Sequence, residues 1–216
     1  MIAALVPAKA LDRAKGRLAA LLTEGERRQL ALAMLEDVIK ALQAVPEIDS
    51  VAVISPDAEV LDAARALDAE AIEEPASVRG LNQALAYGLT VMSSSAPDTL
   101  LVGLADIPAV KPTDVKEVLD ALAPDRGVVI TPSSAKGTSA LALRPPDVIP
   151  FRFGEQSFQN HKREAAARKI EHTIVRNEAL ANDIDEPADL KRLLEHPAET
   201  ATHRLLARLG VAARLG

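Results

Sequence analysis

The chain has 216 residues, of which 48% are hydrophobic and 2% are aromatic, and its formal net charge at pH 7 is −6. This length is sufficient for one well-buried domain and short for two. The negative charge argues against a nucleic-acid-binding protein, which would carry a basic face, and the scarcity of aromatic residues excludes stacking platforms for single strands. Cysteine is absent, and no apolar run approaches the roughly 20 residues of a membrane span. We therefore expect a cytoplasmic protein that binds neither nucleic acid nor membrane.

A buried strand is predicted at the start of the chain, with a positively charged loop after it. The apolar run 2–6 stops at Pro7 and Ala8, which is typical of a parallel strand that ends in a loop. The cations of this loop are Lys9, Arg13, Lys15 and Arg17. Because ligands of α/β sheets bind beyond the carboxyl ends of the strands, the loop is a candidate phosphate site. A solvated basic loop would explain the same residues equally well.

Strands and helices alternate along the rest of the chain. Thr23 and Glu26 have the spacing of a capping box at the start of a helix that runs to about Ala44. Predicted strands follow at 51–54, 69–72, 99–104, 128–131 and 140–143, and predicted helices at 55–67, 80–92 and 112–122. The pattern predicts an α/β fold with a mostly parallel central sheet and helices on both faces. We expect one domain over 1–194 and a helical tail over 195–216, which either docks or is partly ordered.

Three aspartates are candidate metal ligands. Asp106 closely follows the strand 99–104, so its carboxylate is expected at the same sheet edge as the cationic loop. Asp183 and Asp185 are two residues apart, so in an extended segment they point to one face. Carboxylates together with substrate phosphates suit Mg²⁺, which also offsets the repulsion between like charges. Alternatively, Asp106 caps its own turn and the second acidic segment only caps the last helix. We assign that capping role to Asp189.

A fourth cluster combines glycines and hydroxyl side chains. Gly154 allows a ligand to approach the backbone closely. Thr138 and Ser157 offer hydroxyl groups, and a helix that begins at Ser157 would attract an anion. The phenylalanines at 151–158 could form a pocket wall or simply hold the loop together. His161 is a candidate general base, although a core histidine is the more ordinary interpretation.

These motifs, in this order, resemble those of the 2-phospho-L-lactate/phosphoenolpyruvate guanylyltransferases of coenzyme F420 biosynthesis. That family belongs to the nucleotidyltransferases with a Rossmann-like fold of the glycosyltransferase-A type. The resemblance covers about residues 1–194 and rests on the motifs 7–18, 80–82, 105–108, 137–141, 153–161 and 183–185. The chain departs from the family at Ser139, where Asn is common, and at Glu186, where Thr is common.

The resemblance implies transfer of GMP from GTP to a small phosphorylated carboxylic acid, with release of pyrophosphate. The candidate acids are phosphoenolpyruvate and 2-phospho-L-lactate. Alternatives are another acceptor (3-phosphoglycerate, molybdopterin or a sugar phosphate) and a nucleotide-binding module without catalysis. A homodimer is also expected, from the family and from the leucines of the tail.

The resemblance also implies a role for each motif residue. Nucleotide binding falls to Pro7, Ala8, Lys9, Lys15, Gly80 and Asn82. Catalysis falls to Lys15, Arg17 and Asp106, and binding of the phosphorylated acid to Thr138, Gly154 and Ser157. Asp106, Asp183 and Asp185 are expected to hold Mg²⁺.

Overall fold

A computed structural model describes residues 1–92 and 96–216, and in this part of the chain seven strands form one sheet. The strands are β1 (Ile2–Pro7), β2 (Ile48–Ser55), β3 (Glu70–Glu73), β4 (Thr99–Gly103), β5 (Gly127–Pro132), β6 (Thr138–Arg144) and β7 (His172–Ile174). Their order is β3-β2-β1-β4-β6-β5-β7, and only β6 runs antiparallel to its neighbours. The predicted mostly parallel sheet is confirmed.

Helices cover both faces of this sheet, as the sequence predicts. They are α1 (Glu24–Gln43), α2 (Ala58–Ala66), α3 (Leu81–Met92), α4 (Pro112–Asp120), α5 (Ser157–Ala167), α6 (Glu178–Ala181), α7 (Pro187–Leu194), α8 (Ala201–Arg208) and α9 (Val211–Leu215). One core lies beneath α1, α2, α4 and α6, and it includes Ala4 and Val6 of β1. The other lies beneath α3 and α5 and includes Ala3 and Leu5. Because alternate side chains of β1 enter opposite cores, the strand is a continuous apolar run.

The reversed strand β6 determines which residues meet at the functional edge of the sheet. The loop 133–137 is too short for a helical crossover, so β6 turns back antiparallel to β5. Its first residue, Thr138, pairs with Pro132 at the end of β5. At the end of β4, the N–H of Leu104 donates to the carbonyl of Ser139 over 3.3 Å. The start of β6 thus lies beside the carboxyl end of β4, the strand that Asp106 follows.

The first helix agrees with its prediction in detail. The N–H of Thr23 donates to the Glu26 carboxylate over 2.8 Å, and the N–H of Glu26 donates to the Thr23 hydroxyl over 3.3 Å. This reciprocal pair is the predicted capping box. The helix then ends at Gln43, one residue before the predicted end.

The C-terminal tail is docked rather than partly ordered. Leu205 and Leu206 of α8 and Val211 of α9 are buried against α1 and the segment before it. The Asp37 carboxylate of α1 accepts hydrogen bonds from the first two N–H groups of α8, over 2.7 and 2.9 Å. Since these leucines pack inside the chain, the homodimer rests on the family resemblance alone. The boundary between 194 and 195 stays a prediction. No helix of the described residues is long and apolar enough to cross a membrane.

Candidate active site

The three predicted aspartates lie together, and Lys15 contacts two of them. One carboxylate oxygen from each of Asp106, Asp183 and Asp185 lies within 4.8 Å of the others. Lys15 Nζ donates to Asp106 Oδ2 over 2.8 Å and to Asp185 Oδ1 over 3.0 Å. The N–H of Ile184 donates to the carbonyl of Asp106 over 3.0 Å. This backbone bond ties the two acidic segments together. We call the three aspartates and Lys15 the acidic cluster.

Local backbone geometry directs these side chains toward one another. Lys15 has a left-handed conformation (φ 49°) and precedes a 3₁₀ turn at Gly16–Leu18. In the second acidic segment, Asp189 Oδ2 accepts from the N–H groups of Asp185 and Glu186, over 2.9 and 2.8 Å. Asp189 therefore caps the segment that leads into α7, as predicted, and it also fixes the backbone from which the Asp185 carboxylate projects.

The electrostatics of the acidic cluster favour a bound cation. Burial lowers the pKa of Lys15, but the carboxylates of Asp106 and Asp185 more than offset this and hold it above its ordinary value. Burial, followed by the nearby charge of Asp106, raises the pKa of Asp183. Asp106 Oδ1 is buried and has no hydrogen-bond partner among the described residues. A buried oxygen without a partner is costly, and an all-oxygen donor set suits Mg²⁺. The residues therefore fit this ion.

The predicted cationic loop differs from a free basic patch. Of its side chains, that of Lys15 is only 9% exposed because it lies against the aspartates. The Arg17 side chain is 71% exposed and pairs with Glu186 over 3.1 Å, at the rim of the acidic cluster. Lys9 is exposed. The Arg13 side chain lies outside the described part of the chain. Lys15 and Arg17 are thus paired with acidic residues that lie far from them along the chain.

The residues predicted for the nucleotide follow β1 and open α3. Pro7 ends β1, and the N–H of Ala8 donates to a carbonyl of β2 over 2.9 Å. Gly80 has φ +78° directly before α3, a conformation that favours glycine. The Asn82 amide makes two bonds to the backbone of Phe153, donating over 3.0 Å and accepting over 2.7 Å. Asn82 therefore anchors a loop of the chain itself, and its direct contact with a nucleotide stays a prediction.

The residues predicted for the phosphorylated acid converge beside the start of β6. Thr138 and Ser157 are each only 2% exposed. Gly154 has φ +114°, and its carbonyl accepts from the N–H of Ser157 over 3.1 Å. The Ser157 hydroxyl lies 3.6 Å from the position of a β-carbon built on Gly137. This distance places the Ser157 hydroxyl beside the backbone that leads into Thr138, and we call Thr138, Gly154 and Ser157 the hydroxyl cluster.

Comparison with known proteins decides the family. The family described as guanylyl transferase CofC like matches residues 2–215. The chain belongs to this guanylyltransferase family. A phosphoenolpyruvate guanylyltransferase of Sphaerobacter thermophilus is 42% identical over 194 residues, which cover 89% of this chain and 92% of that protein. A 2-phospho-L-lactate guanylyltransferase of Methanocaldococcus jannaschii is 31% identical over 208 residues, covering 96% and 88%.

Solved structures support the same fold for this family member. A nucleotidyl transferase from Methanothermobacter thermautotroptrophicus superposes with a TM-score of 0.68 and 19% identity, covering 91% of this chain and 97% of that one. The predicted glycosyltransferase-A-type fold is confirmed by this likeness and by the seven-stranded sheet.

Ser139, where the family commonly has Asn, has a place inside the protein. It is fully buried, and its hydroxyl donates to the carbonyl of Thr131 over 3.3 Å, across the β5–β6 hairpin.

Phe151 and Phe153 are buried in the core beneath α3 and α5. These aromatic rings therefore hold the loop together, which was one of the two interpretations that the sequence left open.

His161 is a buried neutral residue rather than an available base. Its Nδ1 lies 3.0 Å from the Thr138 hydroxyl, and its Nε2 accepts from the N–H of Arg152 over 2.9 Å. Burial lowers its pKa from 6.5 to about 4. Both ring nitrogens have partners inside the protein, so neither is left to take a proton from a substrate.

The buried His161 predicts how stability depends on pH. Its pKa is lower in the folded chain than the 6.5 of an ordinary histidine, so the unfolded chain takes up the proton first. The stability that the folded chain gains from keeping His161 neutral is fully present above pH 6.5 and is lost as the pH falls toward about 4. Between pH 7 and pH 5 we expect it to remove about 2 kcal/mol from the free energy of unfolding. Urea unfolding of the wild type and of His161→Asn at both pH values measures it. An equal loss in both proteins would contradict this assignment.

Proposed function

We propose that this enzyme transfers GMP from GTP to phosphoenolpyruvate or 2-phospho-L-lactate, releasing pyrophosphate, as a step of coenzyme F420 biosynthesis in the cytoplasm. Family membership supports the guanylyl transfer. Phosphoenolpyruvate is the preferred acceptor in this proposal, because the relative named for it is 42% identical and the one named for 2-phospho-L-lactate is 31% identical.

The observation that carries the proposal is the position of two different clusters at one edge of the sheet. The acidic cluster follows β4, and the hydroxyl cluster begins at the first residue of β6, which pairs with β4. The N–H of Ser134, in the β5–β6 loop, donates to the carbonyl of Ala181, shortly before Asp183, over 2.9 Å. The acidic cluster suits a nucleoside triphosphate with its cation, and the hydroxyl cluster suits a small anion. An enzyme that joins two phosphorylated substrates needs both.

The reaction needs approach and charge compensation more than proton transfer. Near neutral pH an acceptor phosphate oxygen is already an anion, so it can attack the α-phosphorus of GTP without a general base. A new oxygen–phosphorus bond forms, the bond from the α-phosphorus to the bridging oxygen breaks, and its electron pair leaves with pyrophosphate. Lys15 and Arg17 would bind the triphosphate and offset the charge on the departing group.

The aspartates would hold Mg²⁺, which when bound supplies positive charge that screens the two polyanions from each other. Asp106, Asp183 and Asp185 would fill this role, and Asp106 Oδ1, which has no partner among the described residues, is the oxygen most in need of a cation. Because Lys15 contacts two of these carboxylates, it places one fixed positive charge beside the proposed ligands of the ion.

Pyrophosphate release with a panel of nucleotides and acceptors tests the proposal. We expect release with GTP and phosphoenolpyruvate, a guanosine diphosphate-linked acid as the second product, and loss of turnover on chelation of Mg²⁺. The same panel includes 3-phosphoglycerate, a sugar 1-phosphate and molybdopterin. Turnover with one of these alone would replace the proposed acceptor, and nucleotide binding without turnover would indicate a non-catalytic module.

Replacement of Ser157 by Ala tests the acceptor site. If this buried hydroxyl donates to the phosphorylated acid, its loss removes one hydrogen bond to a charged group and should raise the acceptor KM about tenfold. The KM for GTP should change much less. Steady-state kinetics with each substrate varied in turn measure both constants, and the exposed Ser134→Ala is the matched control. Equal changes in the two KM values for Ser157→Ala would contradict the placement.

A further inference from the structure

Thr138 and His161 form a buried hydrogen-bonded pair. The other hydrogen bond of the His161 ring shows which ring nitrogen carries the proton. The N–H of Arg152 can only donate, and it points to His161 Nε2 over 2.9 Å. That nitrogen must therefore carry a lone pair, and in a neutral imidazole the proton is then on Nδ1. Nδ1 lies 3.0 Å from the Thr138 hydroxyl oxygen. The histidine thus donates and Thr138 accepts, which leaves the hydroxyl hydrogen of Thr138 to be given to another group.

The segment 152–153, whose Arg152 N–H fixes the position of this proton, is held by both α3 and α5. Asn82 of α3 makes its two hydrogen bonds to the backbone of Phe153, the residue after Arg152. The Arg152 side chain donates to the Glu164 carboxylate of α5 over 2.6 Å. The Phe153 ring packs edge-on against the His161 ring, with centroids 4.9 Å apart. These contacts hold the Arg152 N–H on Nε2 and so keep the imidazole in one tautomer and one orientation.

We propose that His161 is a positioning residue, which donates to the Thr138 hydroxyl oxygen and so leaves the hydroxyl hydrogen directed toward the phosphate of the bound acid. This deepens the proposed function and rests on it, since Thr138 acts here as part of the acceptor site. An anion requires donors only, and a hydroxyl that rotated to donate to a protein group would lose that contact. Both residues are almost fully buried, so no water competes for the bond between them.

Two amide variants separate positioning from packing. In His161→Asn the amide nitrogen can stand where Nδ1 stands and still donate to Thr138, while the bond from Arg152 is lost. In His161→Gln the amide oxygen can reach the place of Nε2 and accept from Arg152, while the donor to Thr138 is lost. A purely structural histidine would be damaged comparably by both changes. We expect the acceptor KM to rise about tenfold in His161→Gln and less than about threefold in His161→Asn, with the KM for GTP nearly constant in both.

The background variant Thr138→Val completes the test. With the hydroxyl gone, His161→Asn and His161→Gln should have the same acceptor KM, because there is no group left to orient. Circular dichroism at the assay temperature shows that each variant is folded. Equal acceptor KM values for the two amide variants in the wild-type background, or an unequal pair in the Thr138→Val background, would overturn the proposal.

The tautomer is also measurable without turnover. ¹⁵N-detected NMR of the histidine ring in the intact protein is expected to show the proton of His161 on Nδ1, and a proton on Nε2 would overturn the assignment. This readout separates two failures. If the wild type releases no pyrophosphate with either acid, the proposed function is wrong, while the NMR result still decides whether His161 donates to Thr138.

Discussion

Asp106→Asn is expected to abolish guanylyl transfer while the protein remains folded. The change keeps the shape of the side chain but removes the negative charge of the buried oxygen that has no partner among the described residues. It also weakens the contact with Lys15 Nζ, which is 2.8 Å from the other oxygen. If Asp106 holds the cation that screens the two substrates, Mg²⁺-dependent pyrophosphate release should fall by about 1000-fold or more.

The fold should survive this change, because the connection between the two acidic segments is made by the backbone. The carbonyl of Asp106, rather than its side chain, accepts from the N–H of Ile184. Circular dichroism and the thermal midpoint check this point. Asp62→Asn is the matched control, since Asp62 is exposed on α2 and pairs only with Arg65 over 2.7 Å within the described residues. Undiminished turnover by Asp106→Asn would refute the role assigned to this carboxylate.

The position of Asp106 could be predicted from the sequence because local rules determine it. The apolar run 99–103 specifies a buried strand, and a residue that closely follows such a strand emerges at the carboxyl edge of a parallel sheet. Asp183 and Asp185 face one side for an equally local reason, the alternation of an extended chain. The family resemblance added the expectation that these segments meet.

The charge pairing within the site could not be predicted in this way. Lys15 and Asp185 are separated by 170 residues, and their 3.0 Å contact depends on the packing of several elements. The sequence therefore predicts that the cationic loop and the acids lie at one edge of the sheet, but not that Lys15 pairs directly with two of those acids. The two bonds from Asn82 to the Phe153 backbone likewise join segments that no periodicity relates.

The sequence contains a signal for the direction of β6 but almost none for the strand β7. The antiparallel course of β6 has a sequence signal, since only a short segment separates it from β5 and a parallel crossover needs a dozen residues or more. The strand β7 has almost none. It is three residues long, includes the polar His172 and Thr173, and forms only through pairing with β5 at the edge of the sheet.

Lys15→Met is expected to separate binding of the cation from binding of the nucleotide. In the structure Nζ contacts one oxygen each of Asp106 and Asp185, so it would compete with Mg²⁺ if these carboxylates hold the ion as proposed. Removing the ammonium group leaves three carboxylates with oxygens within 4.8 Å of one another and takes away the cation that contacts two of them. Their repulsion is then relieved most effectively by a metal ion. In the absence of GTP, Mg²⁺ should therefore bind about tenfold more tightly, or better, to the variant.

Turnover should change in the opposite direction. If Lys15 binds the triphosphate as proposed, the variant removes a buried positive charge from the triphosphate site, so pyrophosphate release should fall by about 100-fold or more. Calorimetric titration with Mg²⁺ alone and the Mg²⁺-dependent rise of the thermal midpoint measure the first effect. Lys9→Met is the matched comparison, because Lys9 is exposed and lies outside the acidic cluster, so its loss should leave binding of Mg²⁺ alone unchanged. If Lys15→Met bound Mg²⁺ less tightly than the wild type, Nζ would be supporting the metal site, and the competition inferred from its two contacts would be wrong.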